Sequence, residues 1–326
     1  MTTTTFSPSA KIALLQQAVR TQPRSAALLR ELSEALVEAG REREAADMFR
    51  RAYLLEPDIC TRTLSCVDSD NAGRLRTYSR SLIANGVAYA PVIATLAIAE
   101  AHLGNGAEVQ RLVDYDRLFR TTIMEPPSGC DRNSFCDALA NEIKSDLKFH
   151  DTPPGRAIRR AWRHHMSEPA LPASQAWAKA IRHEVDRYIA TLPKMPDHPF
   201  WASRPADYVL DAWAVVSDGA SHHLSHIHPR AWLSGVYYVV RPAVSHDASR
   251  RQGWLTVGPP EQRYGVTIAH GWAARTIAPE PGQLALMPAY FYHGTQPMGV
   301  NEERICIAFD VVPRELAGGN LDSDEI

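Results

Sequence analysis

The stretch that decides the fold runs from His226 to Val239 and reads HIHPRAWLSGVYYV. Side chains alternate between the two faces of a β-strand, so His226 and His228 at a strand end project to the same side. Two neutral imidazoles on one side can bind a single metal ion. This stretch therefore predicts a metal site at the entry to a strand that spans Leu233 to Val240.

Two residues nearer the C-terminus extend the pattern. His293 lies in the run PAYFYHG, and Arg304 begins the apolar run RICIAF. Three ligands on one face of a metal leave the opposite face open for oxygen and a cosubstrate, and His293 is the candidate third ligand. Imidazole suits iron, zinc and copper, so the ligand type alone does not select the metal. Arg304 can bind a carboxylate through its planar guanidinium.

The composition describes an ordinary globular protein long enough for two domains. The chain has 326 residues, of which 45% are hydrophobic, and its net charge is −2 with 35 basic and 37 acidic residues. That balance argues against binding to nucleic acid or anionic lipid. No signal peptide and no apolar run of about 18 residues is apparent, so no membrane association is expected. The 5 cysteines form no C-x-x-C pair, and we expect a cytoplasmic location.

The first third of the chain reads as amphipathic helices. Apolar residues recur at helical spacing on either side of Gly40, between Ala26 and Pro57, and resemble a tetratricopeptide repeat of about 34 residues. A weaker echo spans Ala90 to Arg120, and the stretch from Asp58 to Arg76 is expected to be irregular. These helices predict either a brace for the next domain or a groove for a protein partner. The positions that fit the repeat are Leu29, Leu32, Ser33, Leu36, Gly40, Ala45, Phe49, Ala52 and Pro57.

A break in composition divides the chain. The proline-rich run EPPSG begins at Glu125 and predicts a domain boundary there. We expect a helical, tetratricopeptide-like domain over residues 1–125 and a second domain over residues 126–313. Within the second domain, 126–200 should supply supporting helices and 201–313 a barrel, followed by an acidic tail over 314–326.

The second domain predicts an α+β fold. Helices are expected over 134–148 and 174–192, after which the apolar period changes to that of strands. Short strands with loops rich in Gly, Pro and Asp are typical of an antiparallel barrel or jelly roll. The predicted strands are Tyr208 to Val216, Leu233 to Val240, Gly253 to Val257, Ala273 to Ile277, Gln283 to Pro288 and Arg304 to Val312.

These motifs resemble the 2-oxoglutarate and Fe(II)-dependent oxygenases, specifically a bacterial subgroup in which His-x-His-Pro runs into Ser-Gly-Val-Tyr-Tyr. The resemblance covers roughly Gly129 to Pro313. It implies a double-stranded β-helix with Fe(II) and 2-oxoglutarate as cofactors. The implied reaction couples oxidative decarboxylation of 2-oxoglutarate to hydroxylation, or a related C–H oxidation, of an amino acid, a peptide or a natural product.

The resemblance also implies roles for individual residues. His226 and His293 would be the first and last iron ligands, and Arg304 would pair with the far carboxylate of 2-oxoglutarate. Tyr238 and Ser234 share one face of their strand, where prolyl-hydroxylase-like members bind that carboxylate with a tyrosine and a hydroxyl residue. No catalytic residue is implied beyond the metal ligands.

His228 departs from the broad pattern, in which the second ligand is Asp or Glu. A third neutral imidazole leaves the iron site one negative charge poorer. His228 is expected to be a metal ligand in a three-histidine face. The alternative is that a water molecule occupies this position on the metal and His228 does not bind the metal directly. The remaining candidates, which are expected to be structural, are His222, His223, His246 and His270.

Two other functions fit the same residues. Barrels with three histidines also resemble cupin-type dioxygenases and isomerases that do not use 2-oxoglutarate, and in those Arg304 would be dispensable. The chain could instead be a repeat-based binding protein with an inactive oxygenase domain. The expected substrate is a small molecule or a peptide, and the tetratricopeptide-like helices offer a surface for a protein partner.

Overall fold

A computed structural model describes residues 7–57, 67–127, 129–145, 161–165, 170–218, 222–260 and 272–317. His270, residues 58–66 of the stretch expected to be irregular and the acidic tail beyond residue 317 lie outside these ranges. Within them, no helix is both long and apolar enough to cross a membrane.

The N-terminal part is helical, as the sequence predicts. α2 and α3 flank Gly40, whose positive φ of 73° makes the turn between them. This confirms the helix pair, while its assignment to the tetratricopeptide family stays a prediction. The helices are α1 (Pro8–Thr21), α2 (Ala26–Glu38), α3 (Glu42–Leu55), α4 (Ala72–Ala84), α5 (Ala90–His102), α6 (Gly106–Leu112) and α7 (Tyr115–Leu118).

A buried polar contact joins three of these helices. The Ser33 hydroxyl on α2 donates to the Ala45 carbonyl on α3 at 2.8 Å and accepts from the Tyr78 hydroxyl on α4 at 2.8 Å. The prediction of irregular structure up to Arg76 is wrong for its last residues, because α4 begins at Ala72. The helical spacing of Ala72, Leu75 and Tyr78, all buried, carries the signal that was overlooked.

Two antiparallel sheets follow. The larger has the strand order β1-β7-β4-β9-β3-β2 and the smaller the order β6-β5-β8. The predicted strands are confirmed, while β1, β2 and β8 were not foreseen. The strands are β1 (Arg120–Ile123), β2 (Ala161–His165), β3 (Tyr208–Asp218), β4 (Leu233–Val240), β5 (Leu255–Val257), β6 (Arg275–Ile277), β7 (Gln283–Pro288), β8 (His293–Thr295) and β9 (Glu303–Pro313).

One strand of the large sheet comes from the segment assigned to the helical domain. β1 pairs with β7, with Arg120 opposite Leu286 and Ile123 opposite Gln283. The two parts of the chain therefore share a sheet. Both supporting helices are confirmed as α8 (Arg132–Ser145) and α9 (Pro172–Thr191), and a short helix α10 (Pro199–Ala202) precedes β3.

The large sheet has one face toward the helices and one toward a cavity. On the helix side, the Trp177 ring of α9 lies 6.2 Å from the Phe309 ring and 6.5 Å from the Tyr237 ring, measured between centroids. On the cavity side, β4 and β9 are in register, with Ser234 opposite Asp310. Alternation along β9 then brings Arg304 to the same face as Asp310.

Gly235 on β4 has no room for a side chain. A Cβ atom there would lie 2.2 Å from Cζ of the Phe309 ring. Gly235→Ala is therefore expected to lower the free energy of unfolding by about 1–3 kcal/mol, the usual cost of overpacking a core. Urea denaturation measures this. Gly73→Ala on α4 is the matched control, because nothing lies within 4 Å of its Cβ position. Equal stability of the two variants would contradict the tight approach of β4 to Phe309.

Polar contacts from aromatic side chains join the helical part to the barrel. The Tyr53 hydroxyl of α3 donates to the Pro229 carbonyl, next to the histidine pair. The Trp272 indole nitrogen donates to the Tyr115 hydroxyl at 3.0 Å, and the Tyr290 hydroxyl donates to the Leu112 carbonyl. The helices thus hold the loop that carries the histidines.

His198 at this junction gives a pH dependence to stability. Its ring accepts from the Phe200 amide at 3.2 Å and bonds the Arg111 carbonyl at 3.1 Å, an arrangement that requires the neutral imidazole. Burial, followed by the Arg111 charge, lowers the pKa of His198 below 6.5. The unfolded chain takes up this proton first, so the contribution to stability is complete above about pH 6.5 and is lost as the pH falls.

His198→Asn tests this dependence, because the asparagine oxygen can still accept from Phe200 but does not titrate. The loss of unfolding free energy between pH 7.5 and pH 5 is expected to be smaller in this variant than in the parent. Urea denaturation at a series of pH values is the measurement. An identical pH dependence in both proteins would rule out a contribution from His198.

Candidate metal centre

Three histidines converge at one end of the cavity. Their ring centroids are separated by 4.5 Å for His226 and His293, 5.0 Å for His228 and His293, and 5.1 Å for His226 and His228. One nitrogen from each ring lies within 4.8 Å of the others. The three rings can therefore bind one metal ion. No other group of three possible metal ligands occurs in the part of the chain that the structure describes.

Backbone hydrogen bonds bring the distant histidines together. The His226 amide donates to the His293 carbonyl at 2.9 Å, and the His293 amide donates back at 3.0 Å. The His228 amide donates to the Ala289 carbonyl at 3.0 Å. The close approach requires Gly294, because a Cβ atom there would lie 2.7 Å from the His223 carbonyl oxygen.

Each histidine uses its Nδ1 atom to contact a protein acceptor. Nδ1 of His226 lies 2.7 Å from the Leu224 carbonyl and Nδ1 of His293 lies 2.9 Å from the Phe291 carbonyl. Because a carbonyl can only accept, both Nδ1 atoms carry hydrogen and the Nε2 lone pairs are free. In this tautomer each Nε2 atom offers its lone pair to a metal ion.

The electrostatics of the cluster favour neutral rings. Desolvation, followed by the charges of the other histidines, holds the pKa of His226 well below its ordinary value. Desolvation and the charge of His228 lower the pKa of His293 to about 4. Both rings are neutral at physiological pH, so a metal ion does not compete with protons for them.

Sequence analysis missed Asp310, which lies beside His228. This buried carboxylate on β9 places Oδ2 2.8 Å from Nδ1 of His228 and accepts the Ser234 hydroxyl on Oδ1 at 2.6 Å. The sequence did carry a signal for Asp310: it is an acid within the apolar run of β9, an even number of residues from Arg304 and so on the same face of the strand. Ser234 lines the cavity as expected, but its hydroxyl is occupied by Asp310, and its contact with 2-oxoglutarate stays a prediction.

Arg304 is the clearest anion site in the cavity. It is only 2% exposed, its Nε atom has no hydrogen-bond partner, and one Nη atom lies 4.0 Å from the Cys306 sulfur. Among the described residues, no carboxylate lies within ion-pair distance of its guanidinium. A buried cation without a partner costs several kcal/mol, so an anionic ligand fits this position.

Tyr238 faces the same cavity, and Tyr237 faces away from it. Burial raises the pKa of Tyr238 well above its ordinary value, although the charge of Arg304 opposes the shift, so its hydroxyl remains a donor. The Tyr237 hydroxyl instead lies 3.8 Å from the Cys136 sulfur on the helix side of the sheet. Of the two tyrosines, Tyr238 is the one that lines the cavity.

Apolar side chains line other parts of the cavity. The Trp213 ring stacks on His228 with centroids 5.9 Å apart and an angle of 17° between the planes. Other wall residues include Val236, Leu255 and Met287. Of the remaining histidines, His223 lines the cavity, and neither it nor His222 and His246 belongs to the metal group. Such walls exclude water from a metal centre.

The barrel segment is similar to a known family. Residues 211–310 match the profile of the family described as "Putative 2OG-Fe(II) oxygenase". The matched segment contains all three histidines, Tyr238 and Arg304. The family description, together with the three-histidine group, confirms Fe(II) and 2-oxoglutarate as the cofactor pair that the sequence predicts. No curated protein matches the sequence.

Several solved structures resemble the chain in outline. A prolyl-4-hydroxylase from Pseudomonas putida is 15% identical, with a TM-score of 0.42, over 62% of this chain and 97% of its own. A prolyl hydroxylase from Trichoplax adhaerens, in complex with a hypoxia inducible factor peptide fragment, is 15% identical, with a TM-score of 0.42, over 65% and 92%. HygX from Streptomyces hygroscopicus, with nickel and 2-oxoglutarate bound, is 14% identical, with a TM-score of 0.38, over 63% and 87%. Because these TM-scores are below 0.5, the likeness to these structures carries no conclusion about function.

Proposed function

We propose that this chain is an oxygenase that uses Fe(II) and 2-oxoglutarate to hydroxylate, or otherwise oxidise, a C–H bond of a small molecule or a peptide. The observation that carries the proposal is the buried Arg304, which has no ion-pair partner among the described residues and lines the same cavity as three converging histidines. The metal ligands and the cosubstrate anchor are thus both supplied. Two antiparallel sheets flanking this cavity support the double-stranded β-helix interpretation.

Three neutral imidazoles suit the proposed metal. His226, His228 and His293 would hold iron through Nε2, because their Nδ1 atoms already contact protein acceptors. This side-chain arrangement fixes the direction of each lone pair before the ion arrives. The rings are partly accessible through the cavity, which allows an ion to enter.

The opposite end of the cavity suits a carboxylate. The Arg304 guanidinium would pair with the far carboxylate of 2-oxoglutarate, and the protonated Tyr238 hydroxyl would donate to it. A ligand anchored there would extend toward the histidines. When bound, iron and 2-oxoglutarate supply the oxidising chemistry, while the protein orients them and excludes water.

The helical part has a narrower proposed role. Tyr53 holds the Pro229 carbonyl and α6 accepts from Tyr290, so these helices brace the loop that carries His228. A cavity of about 340 Å³ between the helices and the barrel, lined in part by Arg50, Tyr89 and Glu315, is the place where a protein or peptide partner would reach both. We propose bracing as the main role, because the observed hydrogen bonds serve it directly.

A cupin-type metal enzyme that ignores 2-oxoglutarate is the second candidate. The three-histidine face without a carboxylate ligand favours it, whereas the buried charge of Arg304 does not. The inactive-domain alternative predicts no stoichiometric iron after anaerobic purification, and metal analysis checks this.

The test of the proposed function is turnover of the cosubstrate. Iron-loaded protein incubated with 2-oxoglutarate and oxygen is expected to release succinate, even slowly without its substrate. Omitting iron provides the control. A purified, iron-loaded protein that neither binds nor consumes 2-oxoglutarate would refute the proposal.

A further inference from the structure

We propose that Asp310 is a positioning residue that supplies, through His228, the negative charge that a carboxylate ligand would otherwise bring to the metal. This inference rests on the proposed function. It concerns Asp310 on β9 and His228, the histidine at the position where the broad oxygenase pattern has Asp or Glu.

The geometry of Asp310 is that of a carboxylate behind a metal-binding imidazole. Its Oδ2 lies 2.8 Å from Nδ1 of His228, its Oδ1 accepts from Ser234 at 2.6 Å, and it is only 5% exposed. A carboxylate that accepts from the free N–H of a ligating imidazole fixes the ring and increases the basicity of the other nitrogen. His226 and His293 have only neutral carbonyls in this position.

The cavity lining is positively charged, so the nearby carboxylate of Asp310 matters for metal binding. The described residues that line the cavity include Arg304 but no Asp or Glu. A divalent ion held by three neutral imidazoles would bring further positive charge to the same cavity. Asp310, in direct contact with His228, offers an anion beside that ion. Partial transfer of its charge through the imidazole would stabilise the bound metal.

Ser234 completes the arrangement. Its hydroxyl donates to Oδ1 of Asp310 from the directly opposite position on β4, so it fixes the carboxylate without contributing charge. The hydrogen bond of the Ser234 hydroxyl is therefore made to Asp310. Ser234→Ala keeps the charge and removes one hydrogen bond, which makes it a graded comparison.

The first test measures metal affinity and redox potential. Asp310→Asn preserves the shape of the side chain and an oxygen that can accept from His228, but removes the charge. It is expected to bind Co(II) or Fe(II) about 10–100-fold more weakly than the parent in competition with a chromophoric chelator, the usual cost of losing such a partner. The Fe(III)/Fe(II) potential is expected to become more positive. Ser234→Ala should lose much less affinity and leave the potential nearly unchanged.

The second test distinguishes charge from structure. His228→Asp places a carboxylate at the ligand position, where it lies beside the charge of Asp310. The imidazole that links Asp310 to the metal is absent in this background, so Asp310→Asn is expected to lower metal affinity much less than the about 10–100-fold expected in the parent. A purely structural role for Asp310 predicts the same fold loss in both backgrounds, so the difference between the two losses decides.

The outcomes separate this inference from the proposed function. If the parent protein binds no metal, the proposed function fails. If the parent binds iron and 2-oxoglutarate but Asp310→Asn matches it in affinity and potential, only this inference is overturned. Should Asp310→Asn fail to fold alone, the comparison of His228→Asp with the double variant still decides, since a double variant that binds metal about 10–100-fold more weakly than His228→Asp contradicts it.

Discussion

Replacing His293 by alanine is expected to abolish stoichiometric binding of iron. The His293 ring is the ligand that closes the face, with its centroid 4.5 Å from the ring of His226 and 5.0 Å from that of His228. Two remaining imidazoles hold a divalent ion poorly. Removing a residue that hydrogen-bonds a metal ligand lowers metal affinity about 10–100-fold, and the loss of a ligand itself should exceed that. Metal content after anaerobic reconstitution and desalting is the measurement, and His226→Ala should behave in the same way.

His246→Ala is the matched control for these variants. His246 is exposed on a short 3-10 turn and does not belong to the metal group, so its loss should leave the iron content unchanged. A near-stoichiometric iron content in His293→Ala would contradict the convergence of the three rings on one ion. If His246→Ala alone lost the metal, the site would lie elsewhere.

Replacing Arg304 by leucine is expected to abolish 2-oxoglutarate binding while metal binding is retained. Truncating one partner of a buried charge pair costs about 2–5 kcal/mol, which corresponds to a roughly 30- to 4,000-fold weaker affinity. Leucine fits the apolar surroundings of Arg304, so the variant should fold. Calorimetric titration of 2-oxoglutarate into the iron-loaded variant, with iron content measured in parallel, tests the expectation.

Arg314→Leu is the control for a general loss of positive charge. Arg314 is exposed and forms an ion pair with Asp207 at 2.9 Å, away from the cavity. It should bind 2-oxoglutarate as the parent does. Unchanged cosubstrate turnover in Arg304→Leu would contradict the proposed anchor. Metal-dependent activity that needs neither Arg304 nor 2-oxoglutarate would favour the cupin-type alternative.

The strands could be predicted where the sequence has an apolar run bounded by clear breaks. β4 and β7 have the bounds that the sequence predicts, because their apolar runs end at clear breaks. The metal ligands could be anticipated because alternation along extended backbone projects both residues of a His-x-His pair to one side, although His226 forms an isolated bridge with His293 before β4 begins. His226 and His228 form the predicted pair, and His293 joins them.

The missed features depend on contacts between distant segments. β8 has only 3 residues, and it exists because His293 and its neighbours pair with β5. β1 is similarly short and pairs only with β7. Strands this short carry no periodic signal of their own. Their positions are decided by partners that a local pattern does not reveal.

Asp310 and Ser234 illustrate the same limit within the site. The alternation of β4 places Ser234 on the cavity side, which the sequence shows, but its partner depends on the register between β4 and β9. That register sets Ser234 opposite Asp310 and directs the hydroxyl to a carboxylate. A side-chain hydrogen bond across strands is a tertiary fact, so the sequence suggested a cosubstrate contact and missed the acid.

The measurement that tests the central claim most directly is anaerobic titration of 2-oxoglutarate into the parent protein with and without bound iron. Because the histidines and Arg304 line one cavity, the claim predicts one molecule bound per chain and a clear loss of affinity when iron is removed. Binding that is indifferent to iron, or no binding at all to the iron-loaded protein, would contradict it.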